Sequence, residues 1–83
     1  MRIRYFAWVR ERVGSPEETI ELPEGIASVR DLIAWLAGRD EGHAAAFAEP
    51  DVIRAAIDLE HVDHDTPLAG AREVAFFPPM TGG

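Results

Sequence analysis

Ser28-Val29-Arg30-Asp31-Leu32-Ile33-Ala34-Trp35-Leu36-Ala37-Gly38 is the stretch on which the fold of this chain turns. Val29, Leu32, Ile33 and Leu36 fall at i, i+3, i+4 and i+7, which is one apolar face of a helix. Ser28 with Asp31 three residues on makes a capping-box-like start, Asp standing in for the usual Glu or Gln and complementing the helix dipole. Gly38 is the expected stop. Trp35 lies at the margin of the apolar stripe and is expected to cover the edge of the core rather than bind a ligand.

Upstream of this helix the sequence reads as a hairpin. Residues 2–8 alternate, with Ile3, Tyr5 and Ala7 expected inward and Arg2, Arg4, Phe6 and Trp8 outward. Phe6 and Trp8 then need cover, from a helix of the same protein or from a partner. Residues 9–13 make about one helical turn ended by Gly14, and Gly14-Ser15-Pro16 is a turn signal. Residues 17–22 form the second strand, with Ile20 and Leu22 inward, closed by Pro23-Glu24-Gly25. Arg10, Glu11 and Arg12 are expected to form a solvated helix face beside Trp8.

Downstream, the alanines of residues 44–48 favour a short helix anchored by Phe47, with His43 beside it as a surface residue. Residues 52–59 read as a strand, Ile53, Ala55, Ile57 and Leu59 on one face. His61-Val62 is a short strand pairing back on it, Asp65-Thr66-Pro67-Leu68 a turn, and Gly70-Ala71-Arg72 a second turn into a last strand at residues 74–77. The helix between the hairpin and the later strands forces a crossover. A right-handed crossover lets the last strand lie parallel to the first in the centre of a mixed sheet. The fold expected is therefore α+β of the β-grasp, ubiquitin-like kind: a four- to five-stranded mixed sheet with one main helix packed on one face.

Composition bounds the function. Eighty-three residues make one domain near the size where folding buries only about 60% of the unfolded surface. With 47% hydrophobic and 28% charged residues the chain reads as an ordinary soluble protein. No apolar run approaches the roughly 20 residues that span a bilayer, and Met1-Arg2-Ile3-Arg4-Tyr5 has no signal-like core, so no membrane partner and a cytoplasmic location are expected. A net charge of −7 argues against nucleic acid and favours a partner with a basic surface. There is no cysteine, which removes disulfides, thiolate metal sites and a cysteine nucleophile. His61 and His64, three apart in a strand, point to opposite faces and make a poor metal site, so neither a metal nor a bound cofactor is expected.

Chemistry is concentrated at the other end of the last strand. After Val74-Ala75-Phe76-Phe77, Pro78 and Pro79 remove two ladder donors and fix two φ angles, and the strand must stop. Met80-Thr81-Gly82-Gly83 follows with no pattern that buries it. Residues 1–79 are thus read as the β-grasp domain and 80–83 as a flexible Gly-Gly tail. Lacking Cβ atoms, the glycines can thread a channel too narrow for other residues and bring a terminal carbonyl beside a reactive group. By parity Phe77 faces away from Val74 and Phe76, and is a candidate docking residue beside Phe6 or a partly covered edge aromatic.

Phe76-Phe77-Pro78-Pro79-Met80-Thr81-Gly82-Gly83 resembles the ending of the small, sulfur-carrier subunit of molybdopterin synthase, a ubiquitin-like family whose typical ending is Pro-Pro-Val-Ser-Gly-Gly. Tyr5-Phe6-Ala7-Trp8-Val9-Arg10-Glu11 is similar to that family's first strand and helix start, and Asp65-Thr66-Pro67-Leu68 with Glu73-Val74-Ala75-Phe76 to its late turn and last strand. Asp58-Leu59-Glu60 departs from the family's Asn-x-Glu, and Ala69-Gly70-Ala71-Arg72 from its acidic Asp-Gly-Asp turn.

The resemblance implies a protein that is not catalytic alone. The Gly83 carboxylate, an inert anion with an ordinary pKa of about 3.3–3.7, must be activated. An E1-like, ATP-dependent adenylyltransferase joins it to AMP, and a sulfur donor displaces AMP to leave a thiocarboxylate. The large catalytic subunit, in a heterotetramer, then receives the tail, and sulfur from two carriers builds the dithiolene of molybdopterin from cyclic pyranopterin monophosphate. In this reading Gly83 carries the sulfur, Gly82 permits close approach, Thr81 and Met80 enter the partner's channel with it, and Pro78 and Pro79 aim the tail. Competing readings are a sulfur carrier for thiamine or tRNA thiolation, a protein modifier whose Gly83 forms an amide with lysine, and a passive β-grasp binding module.

Overall fold

A computed structural model describes residues 1–79 of the chain. Their order is β1 (Arg2–Tyr5), α1 (Ala7–Val13), β2 (Glu17–Thr19), α2 (Val29–Ala37), α3 (Glu41–Ala46), a 3-10 turn (Pro50–Val52), β3 (Arg54–Ile57), β4 (Glu60–Val62) and β5 (Glu73–Phe77). One five-stranded sheet runs β2-β1-β5-β3-β4. β1 pairs antiparallel with β2 and parallel with β5, while β3 pairs antiparallel with both β5 and β4. The last strand is thus central, and the fold is the β-grasp.

α2 forms for the reasons its sequence gives. The Ser28 side chain accepts from the Asp31 amide, the Asp31 carboxylate accepts from the Ser28 amide, and Val29, Leu32, Ile33 and Leu36 are buried. Two backbone N–H groups, of Ala27 and Ser28, hold the Asp31 carboxyl below the usual range. These apolar residues meet Ile3, Tyr5, Val74, Phe76, Ala55 and Ile53 in one core, which Leu68 closes from the loop before β5. Trp35 is half-buried at the core edge, with the Arg39 guanidinium 5.1 Å from its ring centroid.

Several expectations are corrected. The first strand stops at Tyr5, because Ala7 takes a φ of 54° and turns the chain into α1; Ala7 is exposed, not inward. Trp8 consequently belongs to a helix, packs part of its surface on the core, and carries the Arg12 guanidinium at 4.2 Å. The second strand ends at Thr19, although Ile20 is buried and Leu22 partly so. The short helix lies at Glu41–Ala46, earlier than residues 44–48, because the Asp40 side chain caps it by accepting from the His43 amide; Phe47 is its buried anchor. The strand expected at 52–59 is limited to Arg54–Ile57: Asp58 and Leu59 both have positive φ and form the tip of the β3–β4 hairpin, leaving Leu59 81% exposed rather than inward.

Gly42 is where α3 approaches α1. A Cβ there would stand 2.7 Å from the Arg12 carbonyl oxygen and 3.2 Å from that of Val13. Only a residue without one allows the two helices to pack this closely.

Candidate functional site

β5 delivers the chain to the site. Its flanking partners are fixed residue by residue: Phe76 lies between Tyr5 and Ala55, and Phe77 stands opposite Arg54. The Phe6 amide adds one more bond to the parallel ladder, donating to the Phe76 carbonyl at 3.1 Å. Strand pairing on both sides fixes the backbone up to the point where the prolines begin. Pro78 and Pro79, both half-buried, follow at once. Met80, Thr81, Gly82 and Gly83 lie outside the described residues.

Pleating sorts the side chains at this exit. Tyr5, Phe76 and Ala55 share the core face, so Arg4, Ala75, Ala56 and His61, which are mutual partners one position along, share the opposite face with Phe77 and Arg54. Phe6, extended at φ −129° and ψ 153°, falls on the same side. Phe6 remains 37% exposed with the Arg4 guanidinium 5.1 Å from its ring centroid. Phe77 is half-buried, its ring edge-on to His61 at 5.1 Å. The two aromatics proposed for docking, Phe77 on β5 and Phe6 just past the end of β1, thus lie on one face. Ala56 and Ala75 keep the floor between the charged and aromatic side chains shallow.

The charged side chains nearest the two aromatics, Arg4 and Arg54, are cationic although the whole chain is acidic. Glu17, opposite Arg4 in the register, and Glu73, 3.8 Å from Arg4, offset part of that charge. Net charge therefore gives a poor description of the surface around Phe77. His61 and His64 do not converge: His64 Nε2 is 2.7 Å from the Ile53 carbonyl oxygen, while His61 stands against Phe77. Among the described residues no three His, Asp or Glu side chains gather as a metal-ligand set.

A second polar cluster lies on the core side of the sheet. Glu18 on β2 accepts from the Tyr5 hydroxyl at 2.7 Å, faces His43 Nε2 at 2.7 Å and receives the Arg39 guanidinium. The other ring nitrogen of His43 is 2.8 Å from Asp40 Oδ1. His43 is only 6% exposed, which corrects its expected surface position. Burial pushes the Tyr5 hydroxyl far above its ordinary pKa, and the hydrogen bond to Glu18 adds to that. For Glu18 burial acts upward, but the bonds from His43, Tyr5 and Arg39 outweigh it and leave the carboxyl below its ordinary range. Tyr5 and His43 are buried within the cluster while Arg39 and Asp40 reach solvent, and together they tie β1, β2 and α3 to one another. Its one sequence signal was a lone His within an alanine-rich helix.

Comparison with known proteins agrees with this architecture. The ThiS family model matches residues 3–83. The molybdopterin synthase sulfur carrier subunit of Escherichia coli (strain K12) is 35% identical over 83 residues, covering 100% of this chain and 99% of that one. Among solved structures, a putative molybdopterin converting factor subunit 1 from Pyrococcus furiosus superposes with a TM-score of 0.75 at 36% identity, covering 95% of each chain. The small archaeal modifier protein 1 of Haloferax volcanii superposes with a TM-score of 0.67 at 27% identity, covering 96% of this chain and 97% of that one. A family match over nearly the whole chain, joined to a central last strand that hands directly into Pro78-Pro79, leads to one conclusion: the protein belongs to the ThiS family.

Proposed function

We propose that this protein is the sulfur carrier of molybdenum cofactor biosynthesis, acting as the small subunit of molybdopterin synthase. The observation that carries the reading is the full-length likeness to the Escherichia coli sulfur carrier subunit, on a fold whose central strand ends at Phe77-Pro78-Pro79. Activation begins with attack of a Gly83 carboxylate oxygen on the α-phosphorus of ATP, in an E1-like partner, giving an acyl adenylate and pyrophosphate. A sulfur nucleophile then forms the C–S bond as the C–O bond to AMP breaks. The resulting thiocarboxylate donates sulfur to cyclic pyranopterin monophosphate in the large subunit, and the carrier returns as a carboxylate. Gly83 is the reacting residue. Gly82, Thr81 and Met80 occupy the partner's channel, Pro78 and Pro79 set its direction, and Phe6 and Phe77 dock on the large subunit in a heterotetramer.

The body's part is positional. Ordering a free tail costs about 1–2 kcal/mol per residue. Prolines rooted in a strand paired on both sides lower that cost where the tail begins.

Intact mass tests the proposal. The protein incubated with ATP, its activating enzyme and a sulfur donor is expected to exchange one terminal oxygen for sulfur. Appending one Gly after Gly83 should abolish the change; an unchanged mass in the native protein removes the sulfur-carrier reading. A second reading, protein modification through an amide at Gly83, is favoured by the likeness to the small archaeal modifier protein 1. Covalent ladders on other proteins, lost with Gly82-Gly83, would identify it.

A further inference from the structure

We infer that this chain is a donor-only acyl carrier: nothing on its folded body retains the activated Gly83 acyl group, so that group ends on an outside nucleophile or in water. The inference rests on the acyl activation proposed above. All eight cationic side chains, at positions 2, 4, 10, 12, 30, 39, 54 and 72, are arginine; the 83 residues contain no lysine and no cysteine. An amine attacks an acyl adenylate by forming C–N as the C–O bond to AMP breaks, the ammonium proton passing to solvent. A lysine ammonium supplies free amine in small but steady amounts near neutral pH, whereas a guanidinium stays protonated. Arginine thus provides charge without a nucleophile.

Position makes this matter most at the tail's root. Arg54 stands opposite Phe77 and Arg4 beside Phe6. From Phe77 to Gly83 is six residues, a reach of about 20 Å when extended. A lysine at 4 or 54 would lie inside that sphere, at an effective concentration on the order of millimolar. The cations there perform tasks a lysine also performs: Arg4 covers an aromatic ring and shares Glu73.

The remaining nucleophiles are disarmed by placement or chemistry. Serine and threonine hydroxyls are weak acyl acceptors without an adjacent general base. His64 Nε2 is engaged at 2.7 Å by the Ile53 carbonyl. The Met1 amine donates to the Ile20 carbonyl at 3.1 Å, at the end of β1 opposite the tail exit, because β1 and β5 run parallel. Tyr5 is 1% exposed and its hydroxyl is bonded to Glu18. His43 is buried between two carboxylates. His61, on the exit face, would give an acylimidazole that water cleaves, so it retains nothing. In the modifier reading the same inventory forbids chains linked through this protein's own side chains, and each target site takes one copy.

A Gly83 thioester made by intein thiolysis tests this without ATP, activator or sulfur donor, so its outcome is independent of whether the sulfur-carrier reading holds. Held folded at pH about 8, the protein is expected to give only the hydrolysed carboxylate by intact mass, while an added lysine peptide is acylated normally. Arg54→Lys and Arg4→Lys should each yield a cyclic amide, one water lighter than the hydrolysed form, at least about tenfold above the native level. Amide-linked cyclic or dimeric product from the native chain at the rate of the lysine variants overturns the inference. Lysine variants as inert as the native protein overturn it equally.

Discussion

His43 Nε2 lies 2.7 Å from Glu18 Oε2, joining a helix to a strand across 25 positions of sequence, with the other face of the same imidazole held by Asp40 at 2.8 Å. Each ring nitrogen faces a carboxylate, so a ring carrying both protons donates twice and a neutral ring only once. Glu18 in turn serves Tyr5 and Arg39, so one side chain bonds three elements of the fold. Removing a partner here leaves buried acceptors unsatisfied. That cost exceeds the worth of an average hydrogen bond.

The first prediction concerns acid. Glu18 and Asp40 both have carboxyls held below the ordinary range, Asp40 chiefly by the His43 amide and then by its ring. A depressed folded-state value means that their contribution is complete above the ordinary carboxylate range and is lost as pH falls through the lowered value. Glu18→Gln should therefore cost about 1–3 kcal/mol at neutral pH. Urea titrations should show the gap between native protein and variant closing below pH about 4. A gap that stays constant down the acid limb would refute the assignment.

Gly42→Ala tests the close approach of α3 to α1. Alanine is the better helix former by about 1 kcal/mol, so propensity alone predicts stabilisation. The added Cβ would meet the Arg12 backbone oxygen at 2.7 Å, and backbone cannot swing aside as a side chain does. Strain of this kind costs about 1–3 kcal/mol, and the net effect should be a loss in thermal unfolding. Unchanged or raised Tm would show that the helices separate cheaply. The inverse control is Gly38→Ala, whose nearest contact is an ordinary 3.6 Å and whose φ is negative, and which should be tolerated.

Much of this fold was legible because its signals are local and mutually consistent. The period and cap of α2, the strand character of β5 and the crossover between them each point to one topology. What escaped was decided by tertiary contacts. Ala7 interrupts an apparently regular alternation with a left-handed φ, because α1 must start there to cover the core with Val9. Leu59 reads as inward by parity, yet the hairpin needs two positive-φ residues, and Asp58 earns its place by accepting from the Arg72 and Glu73 amides. His43 looked solvated because its partners Glu18 and Tyr5 are distant in sequence. At the end of β5, parity sets Phe77 on the face away from Val74 and Phe76, as the register has it, but the arginines near it come from β1 and β3, which only the register brings together.

The capping box offers a quantitative check on α2. Ser28 and Asp31 satisfy each other's backbone donors, and Ser28 also bridges to Pro67 in the loop before β5. Ser28→Ala should cost about 1 kcal/mol, and Asp31→Asn a similar or smaller amount. Double-mutant coupling near zero in urea denaturation would mean that the two side chains do not act as a unit.

On the proposed docking face the local charge differs from that of the whole chain. A chain of net charge −7 is steered as a whole toward basic surfaces, whereas the patch holding Phe6 and Phe77 presents Arg4 and Arg54. Close to contact the local field dominates, because charges beyond about 8–10 Å are screened at physiological ionic strength. The partner's rim is therefore expected to be acidic around an apolar pocket. Phe77→Ala should weaken binding to the large subunit by about 2 kcal/mol or more, seen mainly in dissociation. Arg54→Glu should slow association by about tenfold with little change in dissociation, and the loss should shrink as salt is raised. If Arg54→Glu instead speeds association, the overall negative charge governs the encounter and the docking surface lies elsewhere on the domain.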